Sequence, residues 1–290
     1  MSSKNSYSQA CLLKRLDGRR WYVTICCVME EKLMKAVRSV VAENGATLLL
    51  VALCGSRAFG YAAPQSDCDL RFIYAYPLAR YVSVTPVPTE LRIKGLDVVG
   101  YELGKFLSMA TSNGWTAPEM LRSPIWYVAP EFPHLAAELT QLTQSVFLPE
   151  PAVHSLVSCA KTYGKRLLHL PPESQNDRDT PVKMNLGRLR VLQAAKYLLQ
   201  HGRFYPILMR DLTAAVSPSV LPAVELLTAW RAGAASPTPQ EWFAAMASVR
   251  SVIDELTDAL SVATPTATRP SARALALADA YYLRVVKQLG

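Results

Sequence analysis

The sequence contains no apolar run long enough to cross a membrane. Its longest dense run, Thr47–Cys54, is far shorter than the roughly 20 residues that a spanning helix needs, and it is typical of a buried strand. Residues 1–27 are polar and basic, without the apolar centre of a signal peptide. We therefore expect no membrane association and a location in the cytoplasm.

The cysteines and histidines lack the spacing of a metal or nucleophile site. No C-x-x-C pair occurs, and no histidine stands at zinc-site spacing from a cysteine. A metal–thiolate centre or a disulfide framework is therefore not expected. The histidines are scattered, and no spacing suggests a Ser-His-Asp or Cys-His arrangement. We interpret the histidines as ordinary surface or hydrogen-bonded residues.

Acidic residues are in deficit. The chain has 23 Asp and Glu against 31 Lys and Arg, which gives a formal net charge of +8. Such an excess suits a polyanionic partner, either nucleic acid, a nucleotide or an anionic membrane surface. Most of it lies in 161–210, where ten basic and three acidic residues give +7. This stretch is a candidate surface for nucleic-acid backbone or nucleotide phosphates, although solvated helix faces give the same pattern.

The first half of the chain predicts a small mixed α and β unit. Residues 1–28 have no clear period, and we interpret them as an N-terminal extension that is either disordered or foreign to the native protein. Apolar residues at helical spacing predict a helix over 30–43. Three strands are predicted next, over 48–53, 67–76 and 91–101, and a helix is predicted over 102–111.

After residue 115 the strand signal nearly vanishes. The apolar spacing predicts helices over 117–121, 133–144, 151–168, 183–200, 207–216, 220–232, 239–260 and 271–288. We therefore expect two units, a catalytic domain over 29–149 and an all-helical domain over 150–290.

One segment carries a pattern suited to phosphate and metal chemistry. The first predicted strand ends in Gly55 and Ser56, which offer close backbone approach and a hydroxyl donor. Asp67 and Asp69 follow ten residues later and lie on one face if they belong to a strand. Paired carboxylates repel each other unless a cation lies between them. Oxygen ligands of this kind select Mg²⁺ or Mn²⁺.

Asp97 is the candidate for a third carboxylate. It stands inside an apolar strand pattern, where an acid is costly unless it is paired or binds metal. Glu90 and Glu102 are nearby rivals, and a strand-end role without chemistry is the alternative for Asp97. Glu102 is better explained as the residue that opens the next helix.

These residues resemble a known family. Gly-Ser, then Asp-x-Asp, then a third Asp on a later strand is similar to the DNA polymerase β-like nucleotidyltransferase superfamily, and within it to the RNA repair pathway DNA polymerase β family. The similarity covers about 29–212. Its segments are 55–60, 66–74, 95–103 and 121–127, with Lys183, 189–190 and 194–202 in the helical half. Cys68 and Gly187 depart from the aromatic residues of the pattern.

The resemblance implies a fold and a set of roles. The fold is α+β, a small polymerase β-type nucleotidyltransferase sheet with flanking helices followed by an all-helical domain. A nucleoside triphosphate such as ATP, two Mg²⁺ ions and an RNA acceptor are the implied cofactors and partners. Asp67, Asp69 and Asp97 are the implied catalytic and metal-binding residues. The implied nucleotide-binding residues are Gly55, Ser56, Arg57, Arg71, Lys183 and Arg190.

The implied reaction transfers a nucleoside monophosphate from a nucleoside triphosphate to an acceptor hydroxyl, most readily an RNA end during RNA repair or tRNA modification. Two alternatives stay open from the sequence. The same site could nucleotidylate a small molecule or a protein, as in antibiotic-modifying or toxin–antitoxin enzymes. The chain could also be a non-catalytic RNA-binding module that keeps the fold.

Overall fold

The structure, a computed structural model, describes residues 20–112, 114–170, 177–262 and 270–290. Five strands form one mixed sheet in the order β3-β4-β2-β1-β5. Strands β2 and β4 are parallel, and the other neighbours are antiparallel. The strands are β1 (Thr47–Cys54), β2 (Asp69–Ala75), β3 (Glu90–Arg92), β4 (Val98–Glu102) and β5 (Ile125–Val128). The predicted α+β class is confirmed.

Helices cover both faces of this sheet. They are α1 (Arg20–Glu43), α2 (Gly55–Ala58), α3 (Leu78–Tyr81), α4 (Leu103–Thr111), α5 (Thr116–Arg122) and α6 (Leu135–Val146). The apolar face of α1 packs Val37 and Val41 against Val51 and Phe72 on one side of the sheet. Helices α4, α5 and α6 share an apolar core with the other side. The interior strand β1 is therefore buried on both faces, which explains its unbroken apolar sequence.

The strand predicted over 67–76 begins at Asp69, so Asp67 lies two residues before the strand instead of belonging to it. Two other predicted elements differ more. Helix α1 begins at Arg20 rather than at residue 30, so 20–28 continue a helix, while 1–19 lie outside the described residues. The strand predicted over 91–101 is wrong as one element, because it is the hairpin of β3 and β4. Gly95, with a φ of 81°, lies in the turn between them, where only glycine is unstrained.

Strand β5 is absent from the prediction. It is four residues long, and none of them is fully buried, so it lacks the dense apolar signature of β1. It pairs with the outer edge of β1 through Leu50 and Val51. Tertiary pairing, rather than local pattern, makes this segment a strand.

The second half of the chain is helical, and each helix predicted after residue 115 is present. The remaining elements are α7 (Pro149–Leu168), α8 (Asp179–His201), α9 (Met209–Val216), a 3₁₀ turn (Pro218–Val220), α10 (Leu221–Arg231), α11 (Pro239–Val262) and α12 (Ala272–Gln288). Helices α7 to α11 surround a second apolar core. Among the helices of the described ranges, none is both long and apolar enough to span a membrane.

The last helix joins the first unit. Ala278 and Val285 of α12 belong to the apolar core that covers the sheet, and Tyr282 donates a hydrogen bond to Glu102 over 3.2 Å. The chain therefore leaves the sheet for the helical half and returns to it. The domain boundary at 149/150 stays a prediction.

Candidate active site

Three carboxylates converge at one end of β2 and β4. Because these strands are parallel, Asp69 at the start of β2 lies beside Asp97, which directly precedes β4. The backbone amide of Leu70 donates to the carbonyl of Asp97 over 3.1 Å. Asp67 stands two residues before Asp69. Carboxylate oxygens of all three lie within 4.8 Å of one another. We call Asp67, Asp69 and Asp97 the acidic cluster.

The crowding of the acidic cluster shifts its titration. Burial, a hydrogen bond to Asp97 and the negative charge of Asp67 raise the pKa of Asp69 to about 7. Burial opposes ionisation of Asp97, but its hydrogen bond to Asp69 and the charge of Arg71 hold the pKa of Asp97 below its usual value. The metal-free cluster therefore retains a proton near neutral pH. Crowded carboxylates, one of which has a pKa well above its usual value, are suited to binding a divalent cation.

Gly55 makes room for this arrangement. Its φ is 66°, and a β-carbon there would lie 1.6 Å from Oδ2 of Asp69. The residue before it, Cys54, is the cross-strand partner of Asp69. The close approach required of Gly55 is thus to a carboxylate of its own chain, a contact that the sequence alone does not reveal.

Ser56 follows Gly55 in the short helix α2. Its residue is only 3 % exposed, and its hydroxyl is a buried polar atom without a hydrogen-bond partner. A buried hydroxyl without a partner is unfavourable and is available to a ligand atom that reaches it.

Arg57 holds the loop that leads into the acidic cluster. Its guanidinium donates to the carbonyl oxygens of Pro64, Ser66 and Asp67, so it shapes the chain between Gly60 and Asp67. No described contact joins it to a carboxylate of the cluster. Its predicted role in nucleotide binding stays a prediction.

Two cations of the predicted set do reach the acidic cluster. Arg71 contacts the carboxylate of Asp97 over 2.9 Å and also donates to the carbonyl of the same residue over 3.0 Å. Lys183, in the first turns of α8, contacts Asp67 over 3.3 Å. The helical half therefore supplies a cation to the site that the sheet builds.

Arg190 lies elsewhere. Its side chain is 2 % exposed and contacts the carboxylate of Glu119 over 2.6 Å. Its guanidinium lies 3.5 Å from the ring centre of Phe59 and donates to the carbonyl of Ile207 over 3.3 Å. Arg190 thus joins α8 to α5 and to the residues that follow α2. The guanidinium of Arg190 is enclosed by partners from its own chain. Its role in nucleotide binding stays a prediction.

Sequence reasoning missed a second buried arginine. Arg231, at the end of α10, has a fully buried side chain that contacts Asp179 over 2.7 Å and donates to the carbonyl of Tyr61. It ties the first residue of α8 to the loop between the Gly-Ser turn and the acidic cluster. The only signal was its place in the apolar helix α10, where a charged residue needs a partner.

Gly187, which departs from the family pattern, also has a structural explanation. A β-carbon at this position would lie 3.1 Å from the ring of Tyr163. The aromatic ring on α7 thus occupies the space beside Gly187, and the departure affects helix packing rather than the acidic cluster.

The mixed sheet, the Gly-Ser turn and the three convergent aspartates define the class of nucleotidyltransferase-like proteins. Residues 29–284 match the family model described as "RNA repair pathway DNA polymerase beta family". The chain belongs to that family, and the expected membership is confirmed.

Two further proteins are similar to this chain. One is "Uncharacterized protein YcgL" of Bacillus subtilis (strain 168), 27 % identical over 193 residues, which cover 64 % of this chain and 71 % of that protein. The other is a crystal structure of a nucleotidyltransferase-like protein from Exiguobacterium sibiricum 255-15, 14 % identical with a TM-score of 0.36, covering 80 % of this chain and 75 % of that one. A likeness at that TM-score supports no statement about this protein.

Proposed function

We propose that this protein is a magnesium-dependent nucleotidyltransferase that transfers a nucleoside monophosphate from a nucleoside triphosphate to a hydroxyl at an RNA end. The convergence of Asp67, Asp69 and Asp97 within 4.8 Å carries the proposal. Family membership supports the nucleotidyltransferase class. RNA as the acceptor, Mg²⁺ as the metal and a cytoplasmic location are the proposal's own additions.

The acidic cluster fits a divalent metal. All its donors are carboxylate oxygens, the ligands that Mg²⁺ and Mn²⁺ prefer. The pKa of Asp69 is raised first by burial and then by the neighbouring carboxyl groups of Asp97 and Asp67. Asp67 and Asp69 would hold two ions, and Asp97 would complete the ligands of one. Bound metal would supply stabilisation of the charge on the attacking and leaving oxygens.

The remaining residues would bind the triphosphate. The hydroxyl of Ser56 has no partner and would donate to a phosphate oxygen. Lys183 and Arg71 are cations at the edge of the acidic cluster and would counter the negative charge of the phosphates. Gly55 leaves the space that the carboxylate of Asp69 occupies, and its predicted contact with the triphosphate would be through its backbone.

The reaction balances as a substitution at phosphorus. The acceptor oxygen bonds to the α-phosphorus, the bond from that phosphorus to the bridging oxygen breaks, and pyrophosphate leaves. The acceptor hydroxyl loses a proton, which our proposal assigns to the carboxylate of Asp97. The depressed pKa of Asp97 keeps this group ionised near neutral pH.

The test is direct labelling. The purified protein is incubated with Mg²⁺, bulk RNA and each of the nucleoside triphosphates labelled at the α-phosphate, and the labelled product is identified. We expect label in RNA, lost in Asp69→Asn and kept in Asp254→Asn, which alters an exposed aspartate of α11. Label on protein alone contradicts the RNA acceptor, and equal activity in Asp69→Asn contradicts the metal assignment.

A further inference from the structure

A cavity of about 430 Å³ lies apart from the acidic cluster, where the ends of α5 and α6 meet the segment that follows α8. It shares no lining residue with the cluster, and its volume is within the range of small-molecule sites, about 300–1,000 Å³. The residues that define it are Arg122, Gln144, Phe147, Tyr197, Arg203 and Phe204. We call it the arginine–aromatic cavity.

The two arginines make the cavity a site for an anion. Arg122 and Arg203 are exposed, no carboxylate lines the cavity, and within the described ranges neither guanidinium makes an ion pair. Three bases of the +7 stretch differ from Arg203 in this respect, since Lys183, Arg190 and Arg210 contact carboxylates. A guanidinium without an acid is available to a phosphate, which it binds through two parallel hydrogen bonds.

The aromatic residues add a second preference. The rings of Phe147 and Phe204 lie with centres 4.3 Å apart, and the guanidinium of Arg122 lies 5.9 Å from the centre of Phe204. Tyr197 completes this wall. Aromatic faces stack nucleobases that are not paired in a duplex. A wall of rings beside two guanidinium groups that lack an acidic partner matches a ligand that has both a base and a phosphate.

The cavity connects to the Gly-Ser turn through the sheet. Two residues after Arg122, the carbonyl of Pro124 accepts a hydrogen bond from the backbone amide of Leu53 over 2.9 Å, and Leu53 lies two residues before Gly55. Arg203 belongs to the basic stretch 161–210. We propose that the arginine–aromatic cavity binds a nucleotide near the acceptor end of the RNA, with its base against Phe204 and its phosphate at Arg122 and Arg203. This inference rests on the proposed function.

The test measures binding without turnover. A fluorescent single-stranded oligoribonucleotide with a free 3′-hydroxyl, and separately ATP, are titrated without divalent metal into the full chain. Arg203→Ala is expected to weaken RNA binding about tenfold and to reduce the salt slope by about one. Phe204→Ala is expected to weaken it at least about fivefold without changing that slope. Arg250→Ala, an exposed arginine on α11, is the matched control.

The outcomes separate this inference from the proposed function. The proposal is supported if Arg203→Ala loses more RNA affinity than Arg250→Ala does. Arg203→Ala must also lose more affinity for RNA than for ATP. Equal RNA affinities in these two variants overturn it, and so does an equal or larger loss for ATP, which would assign the cavity to the donor nucleotide. Label transfer by the wild-type protein with unchanged binding in Arg203→Ala refutes the cavity alone. Arg203 is exposed, so its variant tests the proposal even if Phe204→Ala unfolds.

Discussion

Gly55 is the position where a single methyl group has the sharpest consequence. The change Gly55→Ala would place a β-carbon 1.6 Å from Oδ2 of Asp69, far inside any contact distance. It would also force a left-handed backbone on alanine, since the φ is 66°. The two effects have separate magnitudes and separate readouts.

The backbone effect is a loss of stability. An L-residue in the left-handed region costs about 1–2 kcal/mol, and urea denaturation should show that loss. Gly45→Ala is a matched control, because its φ is 65° and nothing lies within 4 Å of its new β-carbon. The stability loss common to both variants is the backbone effect, and any excess in Gly55→Ala comes from the clash with Asp69.

The clash should appear in activity. Asp69 has to move by more than an ångström to clear the new methyl group, and a displacement of about 1 Å in a catalytic group can reduce a rate about a hundredfold. Single-turnover label transfer at saturating metal measures this step. Gly55→Ala should lose about that factor, while Gly45→Ala keeps wild-type activity. If Gly55→Ala keeps the activity of Gly45→Ala, the placement of Asp69 against Gly55 is refuted.

Three other predictions address charge and metal. The pKa of Asp69 is raised to about 7 in the folded protein from about 3.9 in an unfolded chain. The protonated Asp69 therefore stabilises the folded state fully at low pH, and this part of the free energy of unfolding is lost as pH rises from about 4 to 7. Metal-free wild type should lose stability relative to Asp69→Asn over that window in urea titrations, and parallel curves would contradict the shift. Mg²⁺ at about 100 times its dissociation constant should stabilise the wild-type fold by about 2.7 kcal/mol in thermal unfolding, with EDTA removing the gain and Asp69→Asn showing little of it. Arg231→Met should cost about 3 kcal/mol because Asp179 loses a buried partner, whereas Arg210→Met, from an exposed pair, should cost under about 1 kcal/mol.

The acidic cluster was predictable because its signals are local. The apolar strand β1, the glycine that ends it and the Asp-x-Asp pair lie within one short segment, and Asp97 stands out as an acid in an apolar pattern. The parallel pairing of β2 with β4 then brings Asp97 beside Asp69. Periodicity does not predict that pairing, because the hairpin of β3 and β4 has the sequence pattern of one continuous strand.

The role of Arg190 could not be predicted in the same way. A basic residue on a helix is usually solvated, and the +7 stretch therefore has the sequence pattern of a surface. Helix α8 is instead buried on most of its sides, so Arg190, which lies on a buried side, needs a partner inside the fold. The partner of Arg190, Glu119, is 71 residues away along the chain and belongs to another helix, and no local pattern connects the two.

Helix α8 is the element that relates the helical half to the acidic cluster. Arg231 binds its first residue, Asp179, together with the carbonyl of Tyr61. Further along the helix, Arg190 lies against the ring of Phe59. Both anchors therefore reach the short segment that follows the Gly-Ser turn. Lys183 lies between them on the same helix, so its approach to the acidic cluster is set by two buried contacts rather than by its own exposed ion pair.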